Sequence, residues 1–258
     1  MNKFGFIVPS CVRTRSHLET LLRCLNSIRN FYEKIFIIVI LDFTSDVKLL
    51  GNLDYNNIII EYNLEEKVPA DMIMYKYFYE KEYFEKAIFI QDSMQILRPF
   101  GDLDKIKDFS YIWHFTNHRI QWHTITEPET EYNIKNNIKV HDDLVIDCIK
   151  KNVLKDDVKM YMLNKYNKKD EWSGCFGCLT IMSHKFLHNL ENSTNIIETM
   201  KYMNDNRKRR AIESIFSLAC QFETKNDIHT SFDGLYYDGF TGNNMQTSLI
   251  IKESHNRQ

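Results

Sequence analysis

The stretch KIFIIVIL, Lys34 to Leu41, constrains the fold more than any other part of the chain. Its apolar residues follow one another without the alternation that a strand with one solvent-exposed face would show. Such a strand is buried on both faces, which is typical of a parallel sheet covered by helices. We therefore expect an α/β protein with a sheet of this kind at its centre.

Further segments predict the elements around this strand. Phe4 to Cys11 (FGFIVPSC) predicts a buried first strand, and leucines at helical spacing predict a helix from Leu18 to Ile28. A third strand, a second helix and a fourth strand are then predicted at Asn57 to Tyr62, Ala70 to Phe84 and Ala87 to Ile90. The order β-α-β-β-α-β is typical of the nucleotide-binding half of an α/β domain, in which the strand ends share one edge.

The remainder of the chain shows weaker patterns. Phe109 to Phe115 predicts one more strand, and Arg207 to Phe222 predicts a helix with an apolar stripe. The polar segment Gln121 to Asp170 predicts one helix that begins after Asp142 and Asp143. These acids are expected to be its N-cap and first-turn charges, with a metal site as the alternative. No flexible linker interrupts the pattern, so the 258 residues are predicted to form a single domain.

Two of the eight glycines, Gly174 and Gly177, lie in the segment WSGCFGCLTIM, Trp172 to Met182. Glycines among small and aromatic residues predict a backbone that another group approaches closely. The nearby thiols of Cys175 and Cys178 are expected to be small residues that face a sheet, in preference to metal ligands or a redox pair.

Composition and charge narrow the class of protein. The formal net charge of -2 gives no field that would attract nucleic acid, and the basic run RKRR is expected to be a solvated helix start. No apolar run approaches 18 residues, so no membrane span is expected. The six cysteines are scattered without the spacing of a disulfide framework, which indicates reduced thiols and a cytoplasmic location.

Polar side chains follow three of the predicted strands. Ser10 ends the first strand, Asp42 follows the second, and Asp92 follows the fourth in the sequence QDSM. An acid in such a position is either a cap of its own turn or part of a ligand site. Because the carboxyl ends of parallel strands share one edge, we favour a common site.

The order of these motifs resembles the GT-A glycosyltransferases, in particular their large inverting group. The resemblance covers residues 4–97, and more faintly Trp172 to Phe222, where Ile212 and Glu213 resemble an acidic pair that carries the general base. Departures stand at Val12, Phe43 and Ser93, where the family has an Asn and two acids. The matching segments are Pro9 to Arg13, Leu22 to Ile28, Leu41 to Ser45, Phe89 to Met94 and Gly174 to Gly177.

The resemblance implies a donor site and a general base. Asp92 would hold Mn²⁺ or Mg²⁺ against the pyrophosphate of the donor. Asp42 would accept a hydrogen bond from the nucleobase of the donor. Glu213 would remove the proton of the acceptor hydroxyl. For Glu213 the alternative is a surface ion pair with Arg209 or Arg210. The other implied donor-site residues are Pro9, Ser10, Arg13, Asp71, Gln91 and Ser93.

The same resemblance implies a GT-A-like, Rossmann-type domain with a central mixed, mostly parallel sheet flanked by helices. Residues 1–97 would bind the nucleotide sugar, most often a UDP-sugar, and residues 98–258 a glycan or other hydroxyl acceptor, on which Trp172 either stacks or lies in the core. Transfer would be metal-dependent and inverting.

The alternative is a degenerate domain that binds a nucleotide sugar or glycan without transfer, or serves as an interaction module. A nucleotidyltransferase or a dehydrogenase is excluded because Pro9 to Arg13 contains no glycine for a phosphate loop.

Overall fold

The structure is a computed structural model that describes residues 2–51, 56–63, 70–105, 108–116, 131–168, 171–200, 202–203, 206–225 and 250–252. Strands and helices alternate along the first third of the chain, and helices dominate the rest. The strands are β1 (Asn2–Ser10), β2 (Phe36–Leu41), β3 (Ile58–Tyr62), β4 (Phe84–Phe89), β5 (Met94–Ile96), β6 (Phe109–Tyr111), β7 (His114–Thr116), β8 (Ser173–Cys175), β9 (Thr180–Ser183) and β10 (Ile250–Lys252). The helices are α1 (Arg15–Phe31), α2 (Ala70–Lys81), α3 (Glu131–Lys151), α4 (Asp156–Asn167), α5 (His184–Thr194), α6 (Ile196–Met200) and α7 (Asn206–Thr224).

The main sheet has the strand order β3-β2-β1-β4-β9-β6. The first four of these strands are parallel, β9 is antiparallel to β4, and β6 is antiparallel to β9. Within β2 the residues from Ile37 to Leu41 are buried, as a strand covered on both faces requires. The prediction of a mixed, mostly parallel sheet flanked by helices is confirmed.

Helix α7 organises the second half of the described chain. It packs against α3, α4, α5 and β8, and its residues Ala211, Ile212, Ile215, Phe216 and Ala219 form the predicted buried stripe. Within the described ranges, no helix combines the length and the apolar character that a bilayer span needs.

Helix α3 corrects the prediction for the polar segment. The helix begins at Glu131, so Asp142 and Asp143 lie in its interior and are neither its N-cap nor its first turn. A second helix, α4, follows it where only one was predicted. Asparagines and lysines hide the helical spacing of Ile134 and Ile138, because Asn is a poor helix former.

The predicted strand from Phe109 to Phe115 is two strands in different sheets, because its backbone changes partners. The Ile112 N–H donates to the Leu179 carbonyl, beside β9, and the Trp113 carbonyl accepts from the Phe176 N–H, beside β8. The chain therefore passes from the main sheet into the small β7-β8 sheet.

The second predicted helix ends three residues early. Glu82 adopts a left-handed conformation (φ 45°), and its N–H donates to the Phe78 carbonyl, which closes α2 at Lys81. Phe84, the predicted last residue of this helix, is the first residue of β4.

Candidate active site

The carboxyl ends of β1 and β4 meet where the strand order of the main sheet reverses. From β1 the chain continues to β2 on one side of the sheet, whereas β4 lies on the other side. Ligands of open α/β sheets bind at such switch points. Here the Ser10 Oγ donates a hydrogen bond of 2.8 Å to the Asp92 Oδ2, and both residues are more than nine-tenths buried. The carboxylate after β4 thus bonds to a residue 82 positions earlier in the chain.

The turn that carries Asp92 is tight and held from below by α1. The Met94 N–H donates to the Gln91 carbonyl (3.1 Å), and the same carbonyl accepts from the Cys24 thiol (3.7 Å). Burial raises the pKa of the Cys24 thiol well above its usual range, and the negative charge of Asp92 adds to the rise. The thiol therefore stays protonated and can donate to the turn.

Asp42 lies at the same edge, beside Ser10. Its N–H donates to the Ser10 carbonyl (2.8 Å), which continues the β1-β2 ladder past the end of β2. Its Oδ1 accepts from the N–H of Thr44 (2.8 Å) and from the Thr44 hydroxyl, so the side chain also caps its own turn. The side chain is partly exposed, as a group that meets a ligand must be.

Arg13 reaches this edge through Cys11. The Arg13 Nε lies 3.0 Å from the Cys11 sulfur, which lies 3.9 Å from the Asp42 Oδ1. The hydrogen bond to Cys11 raises the pKa of Arg13, and the Asp42 carboxylate adds to the rise. The exposed guanidinium carries a positive charge at the rim of the strand ends.

Glu213 approaches the edge from α7. Its Oε1 accepts a hydrogen bond of 2.9 Å from the backbone N–H of Gly177. A Cβ on Gly177 would lie 3.1 Å from the Nε2 of Gln91, the residue before Asp92. Gly177 therefore touches both the proposed base and the turn that carries the proposed metal ligand. The alternative partners of Glu213, Arg209 and Arg210, have side chains outside the described residues.

Both glycines of this segment permit close approach, as predicted. A Cβ on Gly174 would overlap the ring of Phe115, and Gly177 adopts a left-handed conformation (φ 58°) that disfavours any other residue. The next residue, Cys178, is left-handed as well (φ 54°). Gly177 adopts this conformation without strain, so the backbone strain of the turn lies at Cys178.

Tyr75 holds this strained turn and was not predicted from the sequence. Its hydroxyl donates to the Cys178 carbonyl and lies 2.7 Å from the Thr180 Oγ1. The ring is fully buried and stacks on Phe89, with 4.3 Å between ring centroids. Burial raises the pKa of Tyr75 well above its usual range, so the hydroxyl keeps its proton. A tyrosine within a helix carries no sequence signal for this role.

Replacing Tyr75 with Phe is expected to destabilise the protein by about 1 to 3 kcal/mol, because it leaves a buried carbonyl without its donor. Urea denaturation of the full chain measures this loss. Tyr202→Phe is the matched control, since Tyr202 is about half exposed and should change the free energy of unfolding by less than about 0.5 kcal/mol. Equal stability of Tyr75→Phe and the wild type would show that the bond to Cys178 contributes nothing.

The other predicted residues have plainer surroundings. Pro9 pairs with Ile40 inside the main sheet, and Ser93 is buried beside Asp92. The side chain of Asp71 lies outside the described residues. Trp172 is 2% exposed and packs on Tyr166, so it belongs to the core and does not offer a face to a sugar.

The sequence left a metal site as an alternative for two residue pairs, Asp142 with Asp143 and Cys175 with Cys178. Asp142 accepts a hydrogen bond of 2.6 Å from the Tyr166 hydroxyl, whereas Asp143 is exposed. Cys175 and Cys178 are buried and form no disulfide.

The candidate site fits a divalent ion that arrives with a nucleotide. Among the described residues, no group of three or more ligating side chains surrounds Asp92. One carboxylate with neighbouring hydroxyls is nevertheless the usual protein share for Mg²⁺, which takes its other ligands from phosphate oxygens and water. Asp92 would be the carboxylate of such a site, and Ser10 and Ser93 lie beside it.

Similarity of this chain to known proteins was found among solved structures. A scan against protein-family models found no match, and a search of curated proteins found none. Among solved structures, the chain is similar to TarS from S. aureus, with 17% identity and a TM-score of 0.26 over 36% of this chain and 28% of that one. It is also similar to core-mannan synthase A from Aspergillus fumigatus in its Mn/GDP form, with 10% identity and a TM-score of 0.47 over 83% of this chain and 69% of that one. At this level of similarity, the function has to be inferred from the site itself.

Proposed function

We propose that this protein is a glycosyltransferase that moves a sugar from a nucleotide sugar to a hydroxyl of a glycan or other acceptor. We expect the donor to be a UDP-sugar. The observation that carries this proposal is the hydrogen bond between Ser10 and Asp92 at the strand switch point, with Glu213 joined to the same turn through Gly177. The arrangement offers a site for a charged donor on one side and a candidate base on the other.

The donor side would bind the nucleotide and its pyrophosphate. A leaving nucleotide diphosphate gains negative charge as the bond from the sugar to the phosphate breaks, and a divalent ion on Asp92 would neutralise that charge. The partly exposed Asp42 would accept a hydrogen bond from the nucleobase of the donor, and Arg13 would add positive charge at the rim of the strand ends. Mn²⁺ and Mg²⁺ are the ions that suit such an oxygen-rich site.

On the acceptor side, Glu213 would act as the general base. As the acceptor oxygen attacks the anomeric carbon, its proton passes to the carboxylate, and the nucleotide diphosphate leaves from the opposite face with inversion. The Gly177 N–H fixes the orientation of the carboxylate through Oε1. Glu213 is partly exposed on α7, so an acceptor can reach it.

A second candidate function is binding of a nucleotide sugar without transfer. Phe43, next to Asp42, exposes 46% of its surface where the resembling family has an acid, and its apolar ring cannot ligate a metal ion. Transfer of the sugar by the wild-type protein separates the two functions, because a binding module gives none.

A thermal-shift screen of UDP-, GDP-, CMP- and dTDP-sugars, with and without Mn²⁺ or Mg²⁺, tests the proposal. A ligand at 100 times its Kd stabilises the folded state by about 2.7 kcal/mol. For a chain of this size that raises Tm by about 5 to 10 °C. We expect one nucleotide class to give this rise only when metal is present. No rise with any donor would refute both candidate functions.

A further inference from the structure

A second cluster of ligating side chains lies at the opposite edge of the main sheet. Glu82 stands between α2 and β4, at the end of β4 remote from Asp92. Residue Ser183 of β9 pairs with Lys86 near that same end, so α5 begins there with His184. Glu82, His184 and His188 each place one ligand atom so that the three atoms lie within 4.8 Å of one another.

The two histidines lie on one face of α5, because residues four positions apart are neighbours on a helix. Their ring centroids are 4.5 Å apart. The His188 Nε2 lies 4.0 Å from the Glu82 Oε1. The sequence HKFLH thus presents two imidazoles toward a carboxylate from another element.

The end of α2 holds both imidazole rings in place. The His184 Nε2 lies 3.2 Å from the Tyr79 carbonyl oxygen, and the ring of Tyr79 packs on His188 with 4.3 Å between centroids. The rings of Phe78 and His184 pack in a T-shaped arrangement with 5.1 Å between their centroids. A ring nitrogen that donates to a carbonyl leaves the other nitrogen with the lone pair that a metal needs, and such outer partners orient histidine ligands.

The end of α2 also determines where the side chain of Glu82 lies. Its φ of 45° is one that glycine or asparagine usually adopts at the end of a helix. The exposed carboxylate of Glu82 is the group that this helix end places beside the histidines.

We propose that Glu82, His184 and His188 bind a divalent transition-metal ion, Zn²⁺ first among them, at a site separate from the one at Asp92. Two imidazoles and one carboxylate form a set that Zn²⁺ uses when a fourth position is left to water. Ligand atoms around one Zn²⁺ lie about 3.4 Å apart, so modest side-chain rotations close the present separation. The ion would join the end of α2 to the start of α5.

Equilibrium dialysis of the full chain against Zn²⁺, with Mn²⁺ as the contrast, tests this site. We expect one Zn²⁺ per chain at this site, bound much more tightly than Mn²⁺. His188→Gln and Glu82→Gln should each weaken Zn²⁺ binding by more than about 10-fold. Loss of a residue that only orients a ligand already costs at least about 10-fold in metal affinity, and loss of a ligand should cost more. Co²⁺ in place of Zn²⁺ should give a visible absorption band that His188→Gln removes.

Matched variants make the result specific. Glu80→Gln removes an exposed carboxylate two residues before Glu82, and Asp102→Asn removes an exposed carboxylate that pairs with Lys105; both should bind Zn²⁺ as the wild type does. Circular dichroism checks that His188→Gln is folded. No Zn²⁺ binding by the wild type, or unchanged binding by folded His188→Gln, would overturn the proposal and leave His184 as a cap of the Tyr79 carbonyl. Neither outcome depends on nucleotide binding.

Discussion

Replacing Glu213 with Gln is expected to lower the rate of sugar transfer by about 100- to 10,000-fold, the range that loss of a general base costs. Gln keeps an oxygen that can accept from the Gly177 N–H, so the turn between β8 and β9 should hold its shape. It cannot accept the proton of the acceptor hydroxyl. Donor binding should therefore stay unchanged while kcat falls, which steady-state kinetics and donor titration measure separately.

Glu223→Gln is the control for this experiment. Glu223 lies on the same helix and accepts from the Ser193 hydroxyl (2.6 Å), away from the strand ends. Its replacement should leave transfer unaltered. Transfer by Glu213→Gln at nearly the wild-type rate would place the base elsewhere, and Asp143 and Glu171 would be the next residues to replace. Glu171 is the weaker of these, because Lys165 and Lys168 pair with its carboxylate.

Replacing Asp92 with Asn is expected to weaken metal-dependent donor binding by at least about 100-fold, or about 2.8 kcal/mol. The amide oxygen of Asn can still accept from the Ser10 hydroxyl, so the link between β1 and the turn after β4 should survive. The negative charge that faces the ion is lost. Titration of the donor in the presence and absence of Mn²⁺ measures the change.

The matched substitution is Asp102→Asn, an exposed carboxylate that pairs with Lys105 after β5. It removes the same charge without touching the strand switch point, so donor binding should not change. Ser10→Ala removes the hydrogen bond but keeps the charge of Asp92, and should cost less than Asp92→Asn. If Asp92→Asn bound donor as tightly as the wild type with Mn²⁺ present, Asp92 would not be a metal ligand.

Patterns within single segments predicted most of the main sheet. The unbroken apolar run of β2 and the helical spacing of leucines in α1 are local properties, and both elements formed within three residues of the expected bounds. One error arose where the pairing partners of a segment determine its structure. Phe109 to Phe115 has one apolar pattern, yet its two ends pair with β9 and β8.

The candidate site was predicted in part. Ser10, Asp42 and Asp92 were expected to share an edge, because parallel strands end on the same side of a sheet. That Asp92 would bond to Ser10 itself could not be predicted, since the neighbours of β1 follow from the strand order. Tyr75 was missed because its role depends on a carbonyl 103 residues later in the chain.

The amino-acid sequence by itself determined the α/β class, the parallel strands and the kinds of polar residue that follow them. Hydrophobic periodicity sets these features, and it acts over a few residues. Only the tertiary structure decided which of those residues meet. The contact of Glu213 with Gly177 and the approach of Glu82 to His184 and His188 join separate elements. Such contacts depend on strand order and helix packing, which form only when the whole core is buried.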